Sequence, residues 1–366
     1  MKIAIVHDYL NQFGGAERVV CELAQVFHDA PIYTSIYHPD LTWPGLTHSH
    51  VITSWMQNMP LTKRGFRALL PLYPAVFSHL KLENYDVVIS SSSSFAKGIE
   101  VGQNTIHICY CYTPTRFLWY PKDYLSRWSM GGVIEGLLTP AMGYLKRWDL
   151  EAARKPDYFL AISSVVKERI EKIYEREAKV IYPSVNTHRF RVCYRSEDFY
   201  LIVSRLLPYK RIDIAVEAFN HLNLPLVIIG DGPARQHLQR LANRNITFTG
   251  YLSDPEVLDY FCRCRAFVFP GEEDFGIAPL EANACGKPVV AYRAGGALDT
   301  VIEGKNGLFF KQQTPECLAA SILQSRNVDW DPDAIRAHAE KFRPEVFHRN
   351  MAEFVDEVAS KKTYRS

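Results

Sequence analysis

The sequence predicts an α/β fold of two domains, each built on a mainly parallel sheet. Three observations carry this. Short apolar runs alternate with helical stretches along the whole chain. A polar connection, Asn186 to Asp198, separates two such series. The unusual glycines, cations and acids fall in loops that follow the apolar runs, where open parallel sheets bind ligands. With 366 residues there is enough chain for two domains. A net charge of +2 gives no overall field that would select nucleic acid.

The elements follow in order. Lys2 to Val6 reads as a short buried strand. No long apolar core or cleavage site follows it, so a signal peptide is not expected. Gly15 to Phe27 reads as helix. Asp86 to Ser90 reads as a strand ending in a serine run, and Thr105 to Cys111 and Tyr158 to Ile162 as two more. Ser163 suits the N-cap of a following helix, and Val180 to Pro183 closes this half. The second series runs through Phe199 to Leu206, a helix near Ile212 to Asn220, and Leu224 to Pro233. ITFTGYL, AFVFP, KPVVAY and NGLFF complete it. Glu345 to Ser360 reads as an amphipathic helix. No stretch of about 20 apolar residues occurs, so no membrane span is expected. Eight cysteines show no zinc-like spacing. Cys109 and Cys111 lie on a strand, Cys262 and Cys264 on an expected helix, and buried reduced thiols are the favoured reading.

The stretch GEEDFGIAPLEANACGKPVVA, Gly271 to Ala291, reads as loop, short helix and strand. Pro279 suits the first helical position, and Gly286 suits the left-handed stop. The N–H groups of Gly276 to Ala278 would form an anion cradle at the helix start. Glu273 and Glu281 would then accept hydrogen bonds from hydroxyls on either side of a phosphate. That describes a nucleotide sugar. An acidic helix start favoured by the macrodipole is the competing account.

Four more loops add weight. DYLNQFGGAERV carries Gly14 and Gly15, where a backbone can approach a ligand or simply turn. SRLLPYKRID carries Arg205 and Lys210, which can converge on a diphosphate or make an ordinary basic loop. IIGDGPARQ lacks the third glycine of a dinucleotide fingerprint, so a tight turn suits it better and a Rossmann dehydrogenase ranks last. FTGYLSDPEV offers Gly250, Tyr251 and Leu252 beside a pocket, or only a capped helix.

Together these segments resemble the retaining family-4 glycosyltransferases of the GT-B fold. Glu273 and Glu281 meet that family's E-x7-E signature, and HDYLNQFGGAERV meets its N-terminal glycine loop. The resemblance is strongest to mannosyltransferases of bacterial surface-polysaccharide assembly. It implies an acceptor-binding Rossmann-like domain over 1–185 and a nucleotide-sugar domain over 186–345. A terminal helix, 346–366, would pack back on the first domain, and the two sheets would face a central cleft. By the same resemblance Arg205 and Lys210 hold the donor diphosphate, with backbone N–H groups of Phe275, Gly276 and Ile277. Glu281 meets the ribose and Glu273 the hexose. Gly250, Tyr251 and Leu252 line the base pocket, and Gly14 and Gly15 face the diphosphate. The family transfers sugar with retention, and the leaving phosphate takes the proton. No metal and no cofactor is implied beyond the co-substrate, GDP-mannose. Asp331-Pro332-Asp333 is accordingly read as a helix start. His7 and Asp8, at a strand end, would contact the acceptor, or His7 would only cap the carboxyl end of the strand.

One departure stands out. The family's His-Thr-Pro reads Tyr112-Thr113-Pro114, so Tyr112 would have to serve as a hydroxyl donor. Glu273, Arg205, Lys210 and Tyr112 are thus the catalytic candidates. A non-catalytic sugar-nucleotide-binding subunit and a sugar-nucleotide epimerase are the alternatives. Pro60 to Phe77, with Lys63, Arg64 and Arg67, and Thr115 to Trp128 mix basic and aromatic residues. They suit a lipid-linked acceptor at the inner face of the plasma membrane, or ordinary helices with aromatics in the core.

Overall fold

The structure, a computed structural model, describes residues 1–63, 65–120 and 132–363. The chain divides into two compact units, Met1–Ser184 with Glu345–Ser366, and Val185–Pro344.

The first unit holds a seven-stranded sheet. Its strands are β1 (Ile3–His7), β2 (Ile32–Thr34), β3 (Val51–Thr53), β4 (Val87–Ser92), β5 (Ile106–Cys111), β6 (Tyr158–Ala161) and β7 (Ala178–Val180). Their spatial order is β3-β2-β1-β4-β5-β6-β7, with every pairing parallel. β4 and β5 are buried at all six positions, which is why they read as continuous rather than alternating runs. β2 and β3 escape the sequence reading because three residues are too few to show a period. Ser163 caps the helix Ser164–Tyr174, its Oγ accepting from Val166 N–H at 3.2 Å. The terminal helix Pro344–Thr363 belongs to this unit. Phe347 meets Tyr110 edge-on, Phe354 meets Tyr158, and His348 Nε2 lies 2.7 Å from Glu22 Oε2.

The second unit holds β8 (Tyr200–Val203), β9 (Leu226–Ile229), β10 (Ile246–Gly250), β11 (Ala266–Phe269), β12 (Val289–Tyr292) and β13 (Gly307–Phe310). Their order is β10-β9-β8-β11-β12-β13, again all parallel. Tyr200, Phe219, Ile228, Val268 and Phe310 centre its core. Burying each such side chain contributes roughly 1.5–3 kcal/mol.

The cysteine reading needs correction. Cys193 and Cys262 form a disulfide with Cα atoms 5.3 Å apart, while Cys109, Cys111, Cys264 and Cys285 are buried free thiols. The bonded pair is 69 residues apart, one partner on the polar connection and one on a helix. No local spacing could reveal it.

Candidate functional site

Both sheets reverse their strand order at a central pair, β1 and β4 in the first unit and β8 and β11 in the second. The crevice outside the carboxyl ends of such a pair is where open α/β sheets take ligands.

In the second unit the loop after β8 carries Arg205 and Lys210, and the loop after β11 carries Glu273. Lys210 Nζ lies 2.5 Å from Glu273 Oε1, and both side chains are mostly buried. Arg205 is exposed, and its guanidinium makes no hydrogen bond or ion pair among the described residues. Glycines let these loops pack backbone to backbone. A Cβ on Gly271 would lie 2.9 Å from Lys210 O. One on Gly295 would collide with Glu273 O, and one on Gly296 with Phe275 Cα. Gly296 N–H donates to Glu273 O at 2.8 Å. Gly230 and Gly232 serve the same end, since a Cβ on either would strike the backbone of Ser204 or Leu206. The GDG segment is therefore a close-packing turn beside the Arg205 loop.

The helix Ile277–Ala284 follows Gly276, whose φ is +93°, and no side chain caps its start. Its first N–H groups thus keep the donor capacity of an open helix terminus. Pro279 is the third helical residue, not the first; its missing N–H still falls within the unpaired first turn. Glu281 sits half-buried on this helix, and Gly286, φ +76°, ends it. Beyond β10, Gly250 has φ +78° and Tyr251 is 82% exposed. Leu252 is half-buried, and Ser253 opens the helix Asp254–Arg263 with its N–H donating to Glu256 Oε2 at 2.8 Å.

The first unit treats its strand ends differently. Asp8 is buried, and its two carboxylate oxygens accept from four backbone N–H groups, Ser93, Ser94, Phe95 and Ala96, at 2.6–2.9 Å. This corrects the acceptor-contact reading for Asp8: every donor it can reach is already internal. His7 is buried too, its Nδ1 within 2.9 Å of Ser91 O and 3.0 Å of Ser91 Oγ. Tyr112 is likewise corrected as a hydroxyl donor. Its phenol donates to Ala16 O at 3.0 Å and lies 2.8 Å from Ser91 Oγ. Burial, with Glu17 and Asp8 nearby, holds it well above the ordinary phenol range. Gly14 precedes the helix Gly15–Val26 with an ordinary extended backbone. A Cβ there would collide with Glu17 Oε2.

Three charged residues escaped the sequence reading. Glu17 is buried, with Oε1 accepting from Gln12 at 2.8 Å and Oε2 without a partner among the described residues. Its signal was present: an acid two residues after a glycine pair. Lys97 and Asp149 form a buried ion pair of 2.6 Å. Asp149 also accepts from Thr115 Oγ1, Trp119 Nε1 and Tyr174 Oη at 2.5–2.8 Å, which fixes the turn after Pro114. Burial works against the Lys97 charge, but Asp149 outweighs it and raises its pKa. Nothing local in the sequence joins positions 97 and 149.

The aromatic residues of Pro60 to Phe77 go to the core: Phe66, Tyr73 and Phe77 are buried, while Arg67 lies 4.6 Å from the Phe66 ring. Arg64 and residues 121–128 lie outside the described residues. No helix among those described is long and apolar enough to cross a membrane. Asp331 caps the helix Pro332–Ala339, accepting from Asp333 and Ala334 N–H.

Residues 13–189 match the family described as Glycosyltransferase Family 4, and residues 187–340 match Glycosyl transferases group 1. Solved structures share the architecture. Anabaena HepE, in complex with UDP and glucose, superposes with a TM-score of 0.72 over 97% of this chain and 99% of its own, at 19% identity. The chain belongs to the family-4 glycosyltransferases of the GT-B fold.

Among relatives of this chain, an uncharacterized glycosyltransferase of Methanocaldococcus jannaschii is 31% identical over 183 residues, 48% of this chain and 51% of that one. The GDP-mannose-dependent alpha-mannosyltransferase of Corynebacterium glutamicum is 38% identical over 131 residues, 34% and 32% of the two chains. The chain thus spans about half, or less, of the length of these relatives.

Proposed function

We propose that this glycosyltransferase moves a hexose, mannose from GDP-mannose, onto a glycan or lipid-linked acceptor, with retention and without a metal. The observation that carries this is the Lys210–Glu273 pair at the β8/β11 reversal, with exposed Arg205 on the same loop as Lys210 and Glu281 on the helix after Glu273. The name of the Corynebacterium relative supports the mannosyl donor.

In this reading the donor diphosphate takes Lys210 from Glu273 and gains Arg205 as a second cation. Both charges are strongest against the negative charge that builds on the departing phosphate, so they lower the barrier rather than merely bind. Released from Lys210, Glu273 accepts from the hexose hydroxyls, and Glu281 from the ribose. The bond between the anomeric carbon and the phosphate oxygen breaks. The acceptor hydroxyl attacks the same face, and its proton passes to that phosphate oxygen. His7 and Asp8 contribute by shaping the acceptor-binding unit rather than by direct contact.

A panel of GDP-mannose, UDP-glucose and UDP-galactose with a polyprenyl-linked acceptor tests this. Transfer from GDP-mannose with product of retained configuration is expected. Turnover only with a UDP-sugar would overturn the donor assignment. One observation favours the non-catalytic subunit as a second reading: the Tyr112 hydroxyl is already committed to Ala16 and Ser91. Binding of GDP-mannose without transfer or hydrolysis would select it.

A further inference from the structure

A second cavity in the C-terminal unit lies at the opposite ends of the strands from the donor loops, beside the residues that begin β11 and β12. It encloses about 280 Å³ and is lined in part by Cys193, Ser196, Arg265, Lys287, Arg326 and Trp330, with no acid among its lining residues. Arg265 and Arg326 share a single counter-ion, Asp198, at 3.0–3.3 Å. Lys287 makes no ion pair with a carboxylate among the described residues. Its Nζ donates to Cys193 O, Arg195 O and Ser196 Oγ at 2.7–3.0 Å, holding the segment that carries Cys193. Asp333 also reaches the rim, accepting from the lining residue Tyr194 Oη at 3.0 Å, so three cations line, with Asp198 and Asp333 beside them, a cavity whose wall includes half of a disulfide.

We propose that the Cys193–Cys262 disulfide is a thiol-exchange site for a small anionic thiol of the glutathione class, which the basic cavity draws in. Cys193 lines the cavity and Cys262 does not, so the sulfur attacked is that of Cys193. The incoming thiolate forms a mixed disulfide with Cys193, and Cys262 leaves as thiolate. A second thiolate attacks the mixed disulfide and frees Cys193. Two thiols become one small disulfide, and one protein disulfide becomes two thiols; the reverse reaction closes the bond again. Both protein cysteines are half-buried, so the bond is within reach of a small reagent. A third sulfur, Cys285 Sγ, lies 4.0 Å from Cys262. Burial pushes its thiol up to about 12, so it stays protonated and does not compete.

The exchange also reaches the polar connection. With the bond open, Cys193 is held to the rest of the unit by its N–H to Cys285 O, at 3.1 Å, and by the Lys287 contacts. The device is therefore a removable link between the segment near residue 193 and the helix Asp254–Arg263.

The test uses the full chain, oxidised with glutathione disulfide, then opened with glutathione or with cationic cysteamine at matched thiolate concentration. Alkylation and non-reducing peptide mass spectrometry count the surviving Cys193–Cys262 link. Electrostatic attraction at the cavity should make glutathione roughly tenfold faster, and 1 M salt should remove the advantage. Arg265→Ala with Arg326→Ala should bring the two rates together. In Cys262→Ser, glutathione disulfide should leave its adduct on Cys193. Absence of the linked peptide after oxidation, equal rates for the two thiols, or an adduct on Cys285 would each overturn the proposal. The wild-type rate comparison decides the matter even if a variant fails to fold.

Discussion

In the N-terminal unit the turn after β1 meets the loop after β4 through a carboxylate, Asp8, gripped by four backbone N–H groups. In the C-terminal unit the corresponding turn after β8 meets the loop after β11 through a cation, Lys210, resting on Glu273. The strand order around the two places is the same. The first crevice is an anion-binding nest that the chain fills with its own side chain. The second holds a partly exposed charge pair instead. One backbone geometry therefore gives an internally filled nest in one unit and an ion pair at the crevice in the other, and the difference lies in which charge the turn supplies.

Four changes would break or sharpen that contrast. Asp8→Ala strands four buried donors and should cost about 3–5 kcal/mol of stability in urea unfolding. A loss under 1 kcal/mol would mean that the nest is solvated rather than filled. Arg205→Ala should leave stability nearly intact, Lys210→Ala should lower it because the mostly buried Glu273 loses its partner, and either should weaken nucleoside diphosphate binding roughly 30-fold by calorimetry, about 2 kcal/mol. Equal weakening of the free nucleoside would refute the diphosphate clamp. Glu281→Ala should lower nucleotide affinity roughly tenfold, one charge-assisted hydrogen bond being lost; unchanged affinity would remove it from the ribose. The fourth concerns His107, buried on β5 and pushed down to about 3 by burial first, then by Lys155 and Arg176. It is neutral in the fold, whereas the unfolded chain takes up the proton below about 6.5. Stability is therefore lost as pH falls from about 6.5 toward 3, by about 1 kcal/mol between pH 6 and 5. His107→Gln should flatten that slope in denaturation measured across the window.

How much was legible follows the same divide. The C-terminal loops announced themselves because glycines, cations and acids sit together within single stretches such as Gly271 to Gly286. Their order after successive apolar runs identified the sheet as well. The N-terminal strand ends misled, because His7, Asp8 and Tyr112 look like ligand groups until their partners appear. Those partners, Ser91, Ala16 and the N–H groups of 93–96, come from other segments, so only the folded chain could show them spent. Lys97 with Asp149 and Cys193 with Cys262 were silent for the same reason. The strand pattern reports periodicity, whereas pairing across 50 or more residues reports topology.

The bond between Lys210 and Glu273 has one more consequence. On the reading proposed above, a diphosphate would compete with Glu273 for the lysine, and the oxygen that holds Lys210 would then be released to a sugar hydroxyl. Binding of the charged and the carbohydrate halves of one ligand would thereby be coupled through a single contact.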